Sequence, residues 1–407
     1  MDLFGLTRES KIERSGVRQV FTPHQPIQSL DLFFGRQEVV KKIIEHINTP
    51  GQHVLLYGDR GVGKSSLANI STQLLIKNLI QGKLFTKRCD SKDSFASIVE
   101  QPLADLGVEV NLTSYSKSHR QSGKAGLSIP IASAGVSSDR TESKNYMVSP
   151  CTPSKVADLL KDSSGLLYID EADQIASVED KVSLAELIKL LSDHGSKFKI
   201  FVVGIAQTGE DLTGAHPSAQ RCLKETKLRK MDDREIREII TGGSKKLFIT
   251  FENNVISSIV KLSSGYPHFA HLLSLKCAEE AIAKDKTTIS RDDLATAINS
   301  AVQDAEGTLS RKYEAAIRSH STDMYRIVLF AASRLGRREF TAAMWRSEIQ
   351  ELTGDCVLQS ELNNYLNRLV SDDESSIITR MAKGVYKFVD PRMPSYVRIA
   401  NKDIAQQ

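Results

Sequence analysis

One eight-residue loop constrains the fold of this chain more than any other feature of its sequence. The loop reads Gly58-Asp59-Arg60-Gly61-Val62-Gly63-Lys64-Ser65 and matches the pattern G-x-x-x-x-G-K-S/T in full. It follows a short apolar run, His53–Tyr57, and precedes an apolar helical pattern over Leu67–Leu79. A strand, a glycine-rich loop and a helix in this order predict an α/β fold in which the loop cradles phosphate.

Each residue type in the loop suits a nucleotide. Glycines let backbone N–H groups curl around phosphate oxygens, and the amino end of the next helix adds a positive dipole. The Lys64 ammonium can reach the β- and γ-phosphates, and the Ser65 hydroxyl can ligate Mg²⁺. We therefore predict ATP and Mg²⁺ as ligands, held by Gly58–Ser65 and the neighbouring Ser66.

Two carboxylates at the end of an apolar run form the second motif. Leu166–Ile169 is followed directly by Asp170 and Glu171. Because successive side chains of a strand point to opposite faces, two adjacent residues at its end can have different roles. We expect Asp170 to hold the hydration shell of Mg²⁺ and Glu171 to polarise the attacking water. The two motifs together predict an ATPase, and no acceptor-binding feature favours a small-molecule kinase.

A polar pair ends another apolar run, Lys199–Ala206. Either Gln207 or Thr208 could orient the water near the γ-phosphate, and the sequence does not choose between them. Ordinary turn chemistry is the alternative interpretation of this pair.

The composition excludes several classes of protein. Lys and Arg number 54 against 50 Asp and Glu, a net charge of +4 that is too mild to indicate nucleic-acid binding by itself. The sequence has no apolar run near the roughly 20 residues of a membrane-spanning helix and no signal-peptide pattern at its start. The five cysteines are scattered without metal-ligand spacing, as is typical of a reducing compartment. We therefore expect a cytoplasmic protein that does not associate with membranes.

Strand and helix patterns divide the chain into segments. Strands alternate with helices as far as residue 231, whereas from Asp232 onward no run resembles a parallel strand. Three amphipathic helices and a hairpin pattern follow Thr322. This order predicts a lead-in over residues 1–30, a P-loop core over 31–231, a helical lid over 232–310 and a winged helix over 320–400.

Two local features of the core complete the prediction. The helical run Ser94–Glu100 should end before Pro102, because proline removes a helix hydrogen bond. Residues 111–146 are rich in serine, glycine and basic residues. They form either a flexible surface insertion or a basic hairpin that touches a partner or nucleic acid.

At the phosphate loop and the acidic strand, the chain resembles the AAA+ ATPases, and more closely the branch near the origin-recognition and STAND ATPases. The resemblance covers roughly residues 20–400 and implies a parallel sheet of AAA+ type, followed by a helical lid and a winged helix. Gly35 and Arg36 resemble the Gly-Arg motif of these families, whose backbone lies near the adenine. Pro267 resembles the proline of a Gly-x-Pro motif that begins a lid helix and approaches the base.

The same resemblance has implications for the oligomeric state and the partners of the protein. The segment His216–Arg221 is similar to the region that supplies the arginine finger of oligomeric relatives. It implies a homo-oligomer in which Arg221 reaches the nucleotide of a neighbouring subunit. Tyr386–Arg392 resembles the closing strand of a winged helix, which either contacts DNA or packs on the ATPase or on a partner protein.

Two functions from different classes stay open. In the first, an ATP-driven switch assembles on double-stranded DNA, which the basic insertion and the winged helix would hold. In the second, ATP gates a protein–protein assembly in defence or signalling, and DNA is not a ligand. The basic insertion favours the first hypothesis. The acidic run Asp372–Glu374 would repel phosphate and favours the second.

Overall fold

The computed structural model describes residues 6–78, 80–110, 146–148, 151–214, 219–305, 307–318, 323–370 and 376–401. Nearly all of the basic insertion, the segment His216–Ser218 and the acidic run Asp372–Glu374 lie outside these residues.

The helices and strands are numbered in chain order. The helices of the described residues are α1 Leu6–Ser15, α2 Val17–Val20, α3 Gln37–Asn48, α4 Lys64–Asn78, α5 Phe95–Asp105, α6 Pro153–Leu160, α7 Val178–Asp193, α8 Glu210–Thr213, α9 Asp233–Lys246, α10 Asn253–Ser263, α11 Pro267–Ala283, α12 Arg291–Asp304, α13 Gly307–Ile317, α14 Met324–Arg334, α15 Ala342–Thr353, α16 Gln359–Leu369 and α17 Met393–Ala400. The strands are β1 His53–Gly58, β2 Lys83–Arg88, β3 Val108–Val110, β4 Tyr146–Val148, β5 Ser164–Asp170, β6 Lys197–Ile205, β7 Leu223–Lys227, β8 Thr250–Phe251, β9 Thr288–Ile289, β10 Phe340–Thr341, β11 Ile378–Ala382 and β12 Val385–Phe388.

The chain divides into two compact units. The first, here called the sheet unit, comprises Val40–Gly58 and Ser71–Lys227. The second, here called the lid unit, comprises Met1–Val39, Asp59–Ile70 and Leu228–Gln407. Most of the phosphate loop therefore belongs to the lid unit, whereas the two predicted carboxylates belong to the sheet unit.

The sheet unit is built on five parallel strands in the order β2-β5-β6-β1-β7. Every residue of β1 is buried, and so is β5 after its first residue. Strands buried on both faces read as continuous apolar runs, which is why both were visible in the sequence. Leu167 of β5 joins Val99 of α5 and Leu187 of α7 in one apolar core. The predicted α/β fold with a parallel central sheet is confirmed.

Helix α5 differs from the prediction. It continues through Pro102 to Asp105, so the expectation that it ends before the proline is wrong. The missing proline N–H costs one helix hydrogen bond. Burial of Val99, Pro102 and Leu103 offsets that loss, and Ser94 and Ser97 form a reciprocal capping box at the amino end.

The lid unit is mainly helical and centres on α11, most of whose residues are buried. β8 and β9 pair in parallel, with Thr250 opposite Thr288 and Phe251 opposite Ile289. The expectation that no parallel strand follows Asp232 is therefore wrong. Strands of two residues are too short to produce a detectable alternation in the sequence.

The carboxyl-terminal part of the lid unit contains three helices, α14 to α16, followed by the β11–β12 hairpin. The short β10 completes a three-stranded sheet in the order β10-β12-β11. Trp345 is fully buried beneath this sheet. Its ring packs edge-on against Phe340 at 5.1 Å, and its Nε1 donates to the Val328 carbonyl at 2.7 Å.

Candidate functional site

The phosphate loop has the backbone geometry that its glycines predict. Gly61 and Gly63 have φ angles of +79° and +93°, a region that residues with a Cβ rarely adopt. Val62 between them is buried and anchors the loop. Lys64 begins α4, and its Nζ donates to the Asp59 carbonyl at 2.8 Å, so the ammonium folds back over the loop.

Residues from distant parts of the lid unit surround this loop. Arg36 is buried, and its Nη1 donates to the Val62 carbonyl at 2.6 Å. Burial lowers the pKa of this guanidinium, and the nearby carboxylates of Glu235 and Asp232 oppose that change. Pro267, the first residue of α11, lies against Gly63, where a Cβ would be 3.5 Å from the proline Cγ. The structure therefore brings Arg36 and Pro267 to the predicted phosphate loop.

Two further arginines reach the loop, and the sequence predicts neither contact. Arg338 donates to Asp59 Oδ1 at 3.2 Å. The Arg392 side chain covers Gly61, where a Cβ would stand 2.6 Å from its Cδ. Arg392 is 5% exposed and is held by Asp390, whose Oδ2 accepts from Nη2 at 2.7 Å. Arg392 follows the predicted hairpin, whereas Arg338 lies between α14 and β10, and neither position in the sequence reveals the target of the side chain.

The carboxyl end of β5 carries the two predicted carboxylates. Asp170 is 4% exposed, and its Oδ1 accepts from the Glu171 N–H at 3.0 Å. Glu171 is exposed and has a φ of +56°. A left-handed conformation costs a residue other than glycine of order 1–3 kcal/mol and is often retained at functional sites. The turn leaves Asp170 buried and Glu171 exposed, and the roles of the two carboxylates stay predictions.

The register of the sheet places these groups at one edge. Gly58 at the end of β1 is opposite Ile205 at the end of β6. Asp170 ends β5, the strand on the other side of β6. Because the strands are parallel, their carboxyl ends lie at the same edge of the sheet. Gly58, the first residue of the phosphate loop, and the acidic pair are therefore separated at that edge by a single strand, β6.

Gln207 and Thr208 follow β6 at this same edge. Both backbone N–H groups donate to Asp211 Oδ2 at 3.0 Å, and both side chains are exposed. Lys227 Nζ donates to the Gln207 carbonyl at 2.8 Å. These three bonds fix the backbone of the turn that carries both side chains.

Arg221 lies at the opposite end of the sheet, where the parallel strands begin. It precedes β7, whose first residue, Leu223, is opposite His53 at the start of β1. Gly58 is five residues further along β1, about 17 Å away at roughly 3.3 Å per residue. Arg221 forms an ion pair with Asp193, and its side chain is 66% exposed. It is therefore remote from the edge at which the carboxylates of its own chain lie.

The residues present fit a magnesium nucleotide. Mg²⁺ takes oxygen ligands and shares them with substrate phosphates. The Ser65 hydroxyl and the buried Asp170 carboxylate supply oxygens of this kind. Among the described residues, no group of three or more His, Cys, Asp or Glu could hold a metal ion alone. None of the helices in the described ranges is both long and apolar enough to cross a membrane.

A parallel sheet, a complete phosphate loop and an acidic strand end define a P-loop NTPase. Comparison with protein families refines this class: the family described as Novel STAND NTPase 1 matches residues 23–379. The chain belongs to this family. No curated protein sequence gives a significant match.

Several solved structures have a similar fold. A Walker-type ATPase of Pyrococcus abyssi is 18% identical with a TM-score of 0.49, and the match covers 93% of this chain and 99% of that one. The ORC2 protein of Aeropyrum pernix is 14% identical with a TM-score of 0.49 and coverage of 96% and 98%. RuvB of Thermotoga maritima is 15% identical with a TM-score of 0.43 and coverage of 89% and 95%.

Proposed function

We propose that this protein is a molecular switch that binds and hydrolyses ATP. One observation carries the proposal: the strand that leads into the phosphate loop and the strand that ends in Asp170 and Glu171 finish at the same edge of one parallel sheet. A phosphate cradle followed by a helix, with carboxylates at that edge, is the arrangement that nucleotide hydrolysis requires.

Each residue has a distinct task in this proposal. Backbone N–H groups of the loop and the Lys64 ammonium hold the phosphates. Ser65 and Asp170 would hold Mg²⁺, which would neutralise the charge that develops on the phosphates. Glu171 accepts a hydrogen bond from the attacking water, and Gln207 or Thr208 orients that water. Gly35, Arg36 and Pro267 lie beside the nucleotide base.

Family membership supports an ATP-gated protein assembly as the use of this switch. A specific observation keeps DNA as a second candidate. The predicted winged helix exposes Asn363, Asn364 and Asn367 along α16, and asparagine can read adenine edges. Arg368 of the same helix is engaged internally, because it donates to the Ala315 carbonyl and stacks 4.8 Å from the Tyr325 ring.

The Glu171→Gln substitution tests the proposal. It keeps the shape of the side chain and removes its basicity, so we expect nucleotide affinity within about threefold of wild type and turnover reduced at least about 100-fold. Glu100→Gln, an exposed position on α5, is the matched control and should retain wild-type turnover. Wild-type turnover in the Glu171 variant would remove Glu171 from its role, and a wild-type protein without turnover would remove hydrolysis from the proposal.

The same turnover assay separates the two uses of the switch. Double-stranded DNA is added to the wild-type protein at a low and a high salt concentration. Stimulation that fades with salt would indicate phosphate contacts and support assembly on DNA. Turnover that is indifferent to DNA at both salt concentrations supports the protein assembly.

A further inference from the structure

A cavity of about 560 Å³ in the lid unit is lined by ionisable side chains that are nearly all positively charged. Helices α9 and α10 line it from one part of the unit, and residues at or after the ends of α14 and α17 line it from another. Its ionisable lining consists of five cations and a single carboxylate, namely Lys230, Arg237, Lys261, Arg337, Arg398 and Asp233. A volume of this size is in the range of small-molecule sites.

Neutral groups contact three of the five cations. Arg237 Nη2 lies 3.5 Å from the Ser257 hydroxyl, and Arg398 donates to the hydroxyl of Ser264 and to the Pro394 carbonyl at 3.3 Å. Lys230 Nζ lies 4.5 Å from the centre of the Tyr266 ring. Within the described part of the chain, none of the five cations is within 4.0 Å of a carboxylate. Asp233 offsets one of the five positive charges, so the lining keeps a net charge of about +4.

Uncompensated charges of one sign repel each other, and an anion among them relieves that repulsion. Guanidinium groups also match phosphate oxygens with two parallel hydrogen bonds. We propose that this cavity is a binding site for a small, multiply charged anion that carries phosphate groups. None of the residues that line the cavity belongs to the phosphate loop. Arg36 and Pro267, which contact that loop, do not line the cavity either. The cavity is thus a second anion site, separate from the one assigned to ATP.

The shape of the site favours a free small anion over the backbone of a nucleic acid. The cations converge on one cavity from four helices or their ends, whereas a duplex presents its phosphates along an extended surface. Burial lowers the pKa of Arg398 to about 10, so this group still carries its charge at neutral pH. A compact polyphosphate can meet several of these cations at once.

Direct titration with inorganic tripolyphosphate tests the site. The Lys64→Ala protein is used throughout, so that the phosphate loop does not compete for the titrant. Isothermal titration calorimetry should show saturable binding that weakens as salt rises. Adding Arg237→Gln and Lys261→Gln should raise the Kd at least about tenfold, because two charged contacts are lost.

A control with the same change in charge makes the result specific. Arg234→Gln with Lys245→Gln removes one arginine and one lysine from α9 outside the cavity, and the Kd should stay within about twofold. Equal Kd values in the two double variants would overturn the proposal, as would the absence of saturable binding. Should the cavity double variant fold poorly, Lys261→Gln alone, at an exposed side chain, should still raise the Kd at least about threefold.

Double-stranded DNA distinguishes the other source of phosphate. The Lys64→Ala protein could show no binding of tripolyphosphate, while the cavity variant loses DNA binding and the control variant keeps it. These cations would then belong to a nucleic-acid interface. That outcome would overturn the small-anion site. Because no arm of the experiment measures hydrolysis, failure here and failure of the proposed ATPase activity are distinguishable.

Discussion

At the scale of single residues, Gly61 shows how closely the phosphate loop is covered. Its φ of +79° is strained for alanine, and a Cβ would stand 2.6 Å from Arg392 Cδ. Arg392 cannot move freely, because it is buried and bonded to Asp390. We expect Gly61→Ala to lower the free energy of unfolding by about 2–3 kcal/mol, of which about 1 is backbone strain. Nucleotide affinity should fall at least about tenfold, since the loop must shift.

Gly354→Ala is the matched control for this prediction. Gly354 belongs to the same unit and has a φ of +78°, but a Cβ there meets nothing within 4 Å. It should therefore show the strain of about 1 kcal/mol and no loss of nucleotide affinity. The comparison uses thermal unfolding and nucleotide titration on both variants. Equal effects at the two glycines would mean that Arg392 does not crowd the loop.

At the scale of secondary structure, the central sheet contains a buried titratable group. His53, the first residue of β1, is buried, and its Nδ1 accepts from the Ile200 N–H of β6 at 3.0 Å. Burial, aided by the positive charge of Lys199, lowers the pKa of His53 to about 3. As the pH falls below about 6.5, the unfolded chain binds a proton that the folded sheet excludes, and stability is lost by about 1.4 kcal/mol per pH unit.

The His53→Asn substitution should reduce this pH dependence. An asparagine Oδ1 can accept the same backbone hydrogen bond, but the side chain does not titrate. We expect urea unfolding between about pH 5.5 and pH 4 to show a slope shallower than wild type by about 1.4 kcal/mol per pH unit. His194→Asn changes an exposed histidine of the same unit and should keep the wild-type slope. An unchanged slope in the His53 variant would contradict the buried neutral ring.

Elements whose stabilising contacts leave a local pattern in the sequence were predicted correctly, and elements that depend on distant residues were not. β1 and β5 were predicted because both of their faces are buried, so their residues are continuously apolar. The phosphate loop was predicted because its chemistry depends on adjacent residues. Helix α5 was predicted to end too early, because its tolerance of Pro102 depends on tertiary burial, which local propensity does not contain. The contacts of Arg338 and Arg392 with the loop span more than 270 residues and leave no local pattern.

At the scale of the whole molecule, the compact units do not consist of consecutive residues. Asp59–Ile70 groups with Leu228–Gln407, although the strand before it belongs to the sheet unit. Sequence patterns reveal consecutive segments, whereas this grouping arises from contacts made by Arg36, Pro267 and Arg392 around the loop. The phosphate loop is thereby covalently continuous with one unit and packed within the other.

The position of Arg221 leads to a prediction about the assembled protein. Arg221 lies at the amino-terminal edge of the sheet, whereas Gly58 and Asp170 lie at the carboxyl-terminal edge. A role for Arg221 in hydrolysis therefore requires the site of another subunit. Arg221→Ala should lower turnover at least about 100-fold and leave ATP affinity unchanged. The substitution also removes the exposed ion pair with Asp193, which should change the free energy of unfolding by less than about 1 kcal/mol.

Mixing two inactive variants tests this role directly. Arg221→Ala retains an intact Glu171, and Glu171→Gln retains an intact Arg221, so a mixed oligomer contains sites completed by one residue from each variant. Random mixing in equal amounts should restore about one quarter of the wild-type turnover. Lys224→Ala, an exposed cation on the neighbouring β7, should retain full turnover alone. Mixed oligomers without recovered turnover would show that Arg221 does not act between subunits.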